Sequence, residues 1–516
     1  MRKRLRISNV CIYIHILKML LRVIFVPVLL RTYNAISVLY TQNLTQISSG
    51  LSTRPNKMAA SCEQQVTISG KKKGSLRNRS CMRCGGIPNI VVRLLDPLCK
   101  TCFEEYFVHK FRAVLGKARA IQYGEKVLIA LSGGPSSSAM LQLVRDGLSA
   151  GARRKLKIEP SAVFVDEGML TGDGLSDDEL SVVRQTLEGA SFPCYFVSLE
   201  SVFKAEKIGL NETAHAPEIA HARELKTVFS SLTSLTARED MLESLRSRLL
   251  VSVARQYRCT KIMVGDSSTR LSVRLLSNVS QGRGGTVPLD TSICDDRHDD
   301  VAFIRPMREF TAKEIAYYNY CNGIVTVALP SLSFGMPINA SINRLTEQLI
   351  AQLQSEFPST VNTIFSTGNK LTVTRCEDSS EAKNCVLCAS PLPSTPTTSC
   401  SSAVNDLEQS LESFPHKSAP RRQDGIQTCV SDLEPDYEAK NVSTSCESCS
   451  CSSGSSTTLI PISVLTRHLC YGCVRTVKEC GVGRIPLPAC VARECERREQ
   501  RTKMKDTIKD FLLDVS

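Results

Sequence analysis

The sequence lacks several features that would assign it at once to a common class. It has no GxxxxGK[ST] motif, so transfer of a nucleotide γ-phosphate is not the expected chemistry. It has no solenoid-type repeat, and outside residues 1–57 no apolar run is long enough to cross a bilayer, so no membrane partner is expected. With 42% hydrophobic and 22% charged residues among 516, the chain is expected to form roughly two to four globular domains.

Acidic residues are absent from residues 1–57, which carry nine Lys or Arg. The rest of the chain therefore holds only about +4 of the formal net charge of +13, so the total charge does not by itself predict nucleic-acid binding. The apolar stretch in this region contains His15, Lys18 and Arg22, which a membrane span would bury at a cost. We interpret it as an upstream extension of the reading frame, with Met58 as the true start; a targeting segment is the alternative.

Cysteine is abundant, with 23 residues, and several occur as C-x-x-C pairs. Paired thiolates at this spacing suit a tetrahedral metal ion in a reducing compartment, so a cytoplasmic protein is expected. Cys81, Cys84, Cys99 and Cys102 form a C-x2-C-x14-C-x2-C unit. This spacing predicts a zinc ribbon, with free or redox-active cysteines as the alternative.

A second cysteine set lies towards the C-terminus. Its members are Cys385, Cys388, Cys470 and Cys473. Its two C-x-x-C pairs are separated by 81 residues. The pair Cys446/Cys449 lies much closer to Cys470/Cys473 along the chain and could form a more compact metal site with it. Because Cys446 and Cys449 lie in low-complexity sequence, we prefer the first combination, with zinc or an iron–sulfur cluster as the open choice of metal.

Apolar runs alternate with helical segments from Gly124 onward, which predicts parallel strands connected by helices. The predicted strands are 126–131, 162–166, 195–199, 261–264 and 301–305, and the clearest helices are 236–257 and 311–322. The expected fold is α/β, with a doubly wound parallel sheet that binds ligands at the carboxyl ends of its strands.

The composition divides the chain into six regions. They are an atypical basic and apolar extension (1–57), a flexible basic lead-in (58–80), an N-terminal zinc-ribbon-like unit with a basic helix (81–123), the α/β domain (124–384), a disordered Ser/Thr/Pro/Cys-rich insertion (389–458), and a C-terminal zinc-ribbon-like unit with a tail (385–388 and 459–516).

The segment "VLIALSGGPSSSAM" reads as a buried strand, a tight loop and a helix start. In the loop, Ser132, Gly133 and Gly134 allow backbone amides to converge on an anion at a helix N-terminus. An ordinary glycine-rich turn is the alternative. The loop resembles the PP-loop of the ATP pyrophosphatase superfamily, whose members adenylate a carbonyl oxygen and release pyrophosphate.

The usual pattern of that superfamily is SGGxDS. Here Ser136 stands where the Asp belongs, and Ser137 occupies the final Ser position. The resemblance implies a PP-loop (adenine nucleotide alpha hydrolase-like) sheet that binds ATP and Mg²⁺ only if this degenerate loop still can. The strand-end carboxylates Asp166, Glu167 and Asp266 are candidate nucleotide or Mg²⁺ contacts, with structural roles as the alternative.

Further stretches are similar to the cytoplasmic tRNA 2-thiolation protein 2 family. They are "VHKFRAVLGK", "FVDEG", "GDSSTRL", "RPMREFTAKEIAYYN", "EFPSTVNTI" and "LCYGC". The resemblance implies one subunit of a complex that thiolates the wobble uridine (U34) of tRNAs for Lys, Glu and Gln. It also implies a catalytic PP-loop partner in a heterodimer, tRNA, and a ubiquitin-like sulfur carrier of the protein urmylation pathway. The C-terminal metal pairing given above agrees with this family.

Catalytic relatives carry additional cysteines near the nucleotide for sulfur handling or an iron–sulfur cluster. The α/β region has only isolated cysteines, and these are expected to fill the core: Cys194, Cys259, Cys294 and Cys321. Two other functions stay open: an active adenylating sulfurtransferase, and a zinc-ribbon interaction protein without a link to tRNA.

The segment "YFVHKFRAVLGKARAI" contains no acidic residue. On a helix, its apolar residues form one face, and the cations on either side are candidate tRNA contacts: Lys110, Arg112, Lys117 and Arg119. Solvated charges beside a core stripe are the alternative.

Overall fold

The computed structural model describes residues 80–508, except 94, 153–154, 172–175, 205–218, 328, 373–383, 393–458 and 482. The predictions for residues 1–57, for nearly all of the lead-in and for most of the insertion, including Cys446 and Cys449, lie outside the described residues. So does the end of the C-terminal tail.

The described part of the chain begins with a small cysteine-containing unit. Its elements are β1 (Ile90–Val92), β2 (Asp96–Leu98) and α1 (Lys100–Ala118). The antiparallel hairpin of β1 and β2 precedes α1, whose apolar residues Phe107, Phe111, Val114 and Leu115 are all buried, as their helical spacing predicts.

The α/β region follows. Its elements are β3 (Glu125–Leu131), α2 (Pro135–Leu148), β4 (Ile158–Asp166), α3 (Gly168–Thr171), α4 (Asp177–Glu188), β5 (Cys194–Ser198), α5 (Ile219–Ser231), α6 (Leu235–Gln256), β6 (Lys261–Met263), α7 (Ser268–Ser280), α8 (Val287–Thr291), β7 (Cys294–His298), β8 (Val301–Ile304), α9 (Ala312–Asn322), α10 (Ile342–Glu356) and α11 (Thr360–Gly368).

The C-terminal unit contains a two-stranded antiparallel sheet and, within its described residues, three α-helices. These elements are β9 (Leu459–Pro461), α12 (Ile462–Leu465), α13 (Tyr471–Lys478), β10 (Arg484–Pro486) and α14 (Ala489–Ile508). Strands β9 and β10 pair in antiparallel register.

The central sheet has six strands in the order β5-β4-β3-β6-β8-β7. The first five strands of this order are parallel. When only these parallel strands are numbered along the chain, their order is 3-2-1-4-5, as in a doubly wound sheet, and the predicted α/β fold is confirmed. Strand β7 is antiparallel to β8 and was not predicted. Its sequence, "CDDRH", has no apolar run, so no strand was predicted there. The buried Asp295 is accommodated because it forms ion pairs with two arginines.

The two cysteine units pack against opposite faces of this sheet. Val127 and Ile129 of β3 join the core that contains Cys81 and Phe103. Leu128 between them joins the other core, which contains Cys473. Because successive side chains of a strand point to opposite faces, a single buried strand supports both units.

Within the described part of the chain, no helix is both long enough and apolar enough to cross a membrane.

Candidate nucleotide loop and metal centres

The Ser-Gly-Gly loop connects β3 to α2 at the carboxyl end of the sheet. Gly133 has φ of +70°, a left-handed conformation that favours glycine, and Gly134 is the N-cap of α2. The Ser137 hydroxyl donates to the Gly134 carbonyl at 3.0 Å and accepts from the Ser132 backbone N–H at 3.2 Å. The loop therefore keeps its shape through its own side chains.

Apolar residues and backbone cover this loop. The Val327 N–H donates to the Gly133 carbonyl at 3.0 Å. A Cβ placed on Gly133 would lie 3.6 to 3.7 Å from side-chain atoms of Leu329, Val183 and Val327. On the other side, a Cβ on Gly265 would lie 2.8 Å from the Ser137 nitrogen, so only glycine fits at the end of β6.

Ser136 occupies the position where the resemblance places an acid. Its hydroxyl oxygen is buried and has no hydrogen-bond partner among the described residues. Serine brings no negative charge, and a hard divalent cation is held chiefly by carboxylate oxygens. The loop therefore presents backbone amides without an acid at this position.

The strand-end carboxylates are held by neighbouring groups in the protein. Asp166 accepts a hydrogen bond from the Gly168 N–H at 2.8 Å, and burial raises its pKa. Glu167 is bound by Arg246 through two hydrogen bonds. Both contacts are internal to the protein, as expected for acids with a structural role, the alternative to nucleotide or Mg²⁺ binding given in the sequence analysis.

Asp266 is the most strongly paired of these acids. Arg274 lies 3.0 Å from its carboxylate and Arg305 lies 3.4 Å away. Burial alone would raise the pKa of Asp266, but Arg274, Arg305 and Arg270 outweigh it and bring the pKa to about 2. Asp266 is therefore ionised and already neutralised by guanidinium groups.

These pairs are parts of a larger arrangement, which we call the strand-end ion network. Acids and arginines alternate along it in the order Glu167, Arg246, Glu243, Arg274, Asp266, Arg305, Asp295, Arg297 and Asp290. The sequence analysis missed the arginines of this network. Only Arg305 carried a signal, since it opens the "RPMREF" stretch.

The N-terminal four-cysteine unit consists of Cys81, Cys84, Cys99 and Cys102. Their four sulfur atoms all lie within 4.8 Å of one another, and the Cys84 and Cys99 sulfurs are 3.5 Å apart. Cys84 is exposed. Backbone N–H groups of Cys84 and Cys99 lower the pKa of Cys81 to about 6, which favours its thiolate form.

The C-terminal four-cysteine unit brings together Cys385, Cys388, Cys470 and Cys473. Their sulfurs also lie within 4.8 Å of one another, and those of Cys388 and Cys470 are 3.6 Å apart. Two of the four cysteines are buried and none is exposed. The structure thus assembles the pairing that the sequence analysis preferred.

Two arginines of the α/β region hold the C-terminal unit. Arg248 donates to the backbone carbonyls of Val386 and Leu387, the two residues between Cys385 and Cys388. Arg283 donates to Asp240 at 2.8 Å and to Thr476 on α13 at 3.1 Å. The cysteine unit is therefore attached to α6 and to the turn after α7 by charge-assisted hydrogen bonds.

Both units fit a tetrahedral metal ion. Four cysteine sulfurs around zinc at about 2.3 Å would be about 3.8 Å apart, in the range of the sulfur separations seen here. The ligands are cysteines alone, a donor set that suits structural zinc and iron–sulfur clusters alike.

The candidate tRNA contacts on α1 differ in their environment. Lys110 forms a 3.1 Å ion pair with buried Glu314 and lies over the Phe310 ring, so it faces the interior. Its ammonium is thus already paired within the protein, and its role as a tRNA contact stays a prediction. Arg112 is half-buried, whereas Lys117 and Arg119 are exposed.

The 3-2-1-4-5 sheet and its Ser-Gly-Gly loop define an α/β chain of the PP-loop class with a four-cysteine unit on each face. The family model described as Cytoplasmic tRNA 2-thiolation protein 2 matches residues 341–475. Cytoplasmic tRNA 2-thiolation protein 2-A of Xenopus laevis is 36% identical over 519 residues, covering 88% of this chain and 99% of the relative. The chain belongs to the cytoplasmic tRNA 2-thiolation protein 2 family.

Two more distant matches complete the comparison. Cytoplasmic tRNA 2-thiolation protein 2 of Homo sapiens is 32% identical, covering 85% of this chain and 94% of the relative. Among solved structures, the U34-tRNA thiolase NcsA from Methanococcus maripaludis, with its 4Fe–4S cluster, covers 60% of this chain and 95% of that chain, at 16% identity and a TM-score of 0.45.

Proposed function

We propose that this chain is a cytoplasmic subunit of a tRNA 2-thiolation complex that acts on the wobble uridine (U34) of tRNAs for Lys, Glu and Gln. Its curated relatives, named as cytoplasmic tRNA 2-thiolation proteins, support this proposal. Within the complex, the chain supports a catalytic PP-loop subunit and does not adenylate the uridine itself. A ubiquitin-like protein supplies the sulfur to that subunit.

One observation carries the non-catalytic assignment: the loop is retained while its acids are missing or already paired. Adenylation of a carbonyl oxygen requires Mg²⁺ beside the triphosphate, held by carboxylates. Ser136 has no charge, and Asp266 is bound by two arginines. A cation at Glu167 or Asp266 would have to displace guanidinium groups, and of the three strand-end acids only Asp166 has no arginine partner among the described residues. With an uncharged Ser136, the loop therefore offers Mg·ATP fewer carboxylates than the complete pattern would.

We assign zinc to both four-cysteine units. Zinc bound by four thiolates has no open position and does not change oxidation state, so it would stabilise each unit without reacting. The isolated cysteines support this separation of roles, because Cys194, Cys259 and Cys294 have raised pKa values through burial and are poor nucleophiles.

The function is tested by removing the gene from cells and measuring 2-thiouridine in purified tRNA by mass spectrometry. Loss of 2-thiouridine from the tRNAs for Lys, Glu and Gln, with recovery on re-expression of this chain, is the expected result. Unchanged thiolation without the chain would refute the subunit role.

The non-catalytic assignment is tested separately. The purified full-length chain is mixed with ATP, Mg²⁺ and tRNA, and pyrophosphate release is followed. We expect no release from this chain alone. Pyrophosphate release that depends on tRNA would identify it as an adenylating enzyme and overturn the assignment.

A further inference from the structure

The amino-terminal edge of the central sheet carries a row of exposed cations far from the Ser-Gly-Gly loop. We call this surface the basic edge; its residues are Lys117, Arg119, Tyr123, Lys126, Lys155, Lys157 and Arg258, all exposed. They lie at the end of α1, at the beginnings of β3 and β4, and before β6. These three strands are neighbours, in the order β4-β3-β6, so their starting points lie side by side.

Two of these arginines have backbone conformations that favour glycine. Arg119 ends α1 with φ of +44°, and Arg258 follows α6 with φ of +58°. Both positions close a helix, with the Arg119 N–H donating to Gly116 and the Arg258 N–H donating to Arg255. Glycine is the residue that fits such a helix end without strain. Arginine in both places points to a use for the side chain.

Tyr123 places an aromatic ring among the cations. Its side chain is 79% exposed, and the Lys157 ammonium lies 4.7 Å from the ring centroid. The next residue, Gly124, donates its N–H to the Lys157 carbonyl at 2.8 Å, which fixes the tyrosine beside the lysine. An exposed aromatic ring flanked by cations is the arrangement on which proteins stack an unpaired base.

The cations of the basic edge are not neutralised by neighbours. Among the described residues, no ion pair includes Lys117, Arg119, Lys126, Lys155 or Arg258. Two acids lie nearby: Glu125 is occupied by the Thr260 hydroxyl and the Gln122 N–H, and exposed Glu159 lies beside Lys126 in the β3–β4 register without forming an ion pair within the described residues. The surface therefore keeps a net positive charge for an external partner.

We propose that the basic edge binds the sugar–phosphate backbone of a tRNA, with Tyr123 stacking on an unpaired base. This inference rests on the proposed function. Strand β3 has seven residues, so the basic edge lies about 20 Å from the Ser-Gly-Gly loop. The chain would thus hold the RNA at a surface remote from its own degenerate loop.

The test measures binding of the full-length chain to a fluorescently labelled tRNA-Lys transcript by anisotropy over a range of salt concentrations. The main variant is R119G/R258G, because glycine suits both backbones and removes the cations without disturbing the fold. Affinity should fall about tenfold, and the slope of log K against log salt should become shallower by about 2. The control R501A/K503A, which removes two exposed cations from α14, should leave both quantities unchanged.

The Y123A variant separates stacking from charge. It should weaken binding roughly fivefold or more while leaving the salt slope unchanged. Wild-type affinity for R119G/R258G, absence of tRNA binding by the wild type, or binding to phosphatidylserine vesicles in place of tRNA would overturn the inference. Recovery of 2-thiouridine by the wild-type chain in the deletion cells reports on the proposed function independently of these results.

Discussion

The N-terminal and C-terminal four-cysteine units repeat the same backbone pattern. The Cys81 N–H donates to the carbonyl of Gly86, and the Cys385 N–H donates to that of Ser390, both at 2.7 Å. In each unit the second pair begins at the N-cap of a helix, with Cys99 before α1 and Cys470 before α13. The two units are therefore one structural device used twice.

The two units differ in how they are set into the molecule. The N-terminal set spans 14 residues between its pairs and exposes Cys84, whereas the C-terminal set spans 81 residues, exposes none of its cysteines and is held by Arg248. A metal that closes a longer loop removes more entropy from the unfolded chain. We therefore expect the same four ligands to stabilise the chain by different amounts in the two units, because the surroundings of the units differ.

The largest expected effect comes from matched ligand substitutions. C388S should lower the free energy of unfolding by about 2 kcal/mol more than C84S, since loop closure alone contributes about 1.5 kcal/mol of that difference. Urea denaturation measures the stability, and metal analysis should find one zinc fewer in each variant. Equal losses would show that the two units stabilise the chain alike.

The two sites should also differ in how fast they lose zinc. With a chelator that reports zinc release by absorbance, the N-terminal site should empty first, because exposed Cys84 gives the chelator access to its ligands. We expect two phases with rates that differ about tenfold or more, and C84S should abolish the fast phase. Release of all the zinc in a single kinetic phase would show that the two sites are equally accessible to the chelator.

Arg248 is expected to account for part of the difference. R248A leaves two buried carbonyls of the Cys385–Cys388 turn without a donor and should lower stability by about 2 kcal/mol. It should also speed the slow phase of zinc release while leaving the fast phase unchanged. R493A, which removes an exposed arginine of α14, is the matched control.

The smallest expected effect on stability concerns the residue that follows Cys84 in one unit and Cys388 in the other. Gly85 has φ of +74° and Ala389 has φ of +56°, so the same left-handed site holds different residues. G85A should destabilise by about 1 kcal/mol, although a Cβ there meets nothing within 4 Å, and A389G should stabilise by a few tenths to about 1 kcal/mol. Thermal unfolding measures both, and changes of the same sign would contradict the equivalence of the turns.

Local patterns predicted most of the sheet and both cysteine groupings. Strands β3, β4, β6 and β8 each contain an uninterrupted apolar segment because both faces of the sheet are buried there, and such segments are visible in a single sequence. The edge strand β7 was missed because its polar residues pair with arginines from other elements. Such pairings depend on three-dimensional proximity, which spacing along the chain does not contain.

The same limit applies to the candidate sites. Lys110 matched the helical spacing of an exposed cation, but its partner Glu314 is 204 residues away and brings it inside. Asp266 stood at a strand end as a ligand would, yet its arginines come from α7 and from the end of β8. The loop itself was visible because the hydrogen bonds between Ser132 and Ser137 that shape it are local.

The strand-end ion network makes the loss of the loop's acid hard to reverse. Restoring aspartate at position 136 would add one negative charge, but Asp266 would still be committed to Arg274 and Arg305. Freeing Asp266 would remove one of the two acids that each guanidinium group contacts, leaving Arg274 with Glu243 and Arg305 with Asp295, and breaking such partly buried pairs is costly. Under the proposed function, a Mg²⁺ site at this edge would therefore need several substitutions at once, which would keep the chain dependent on its catalytic partner.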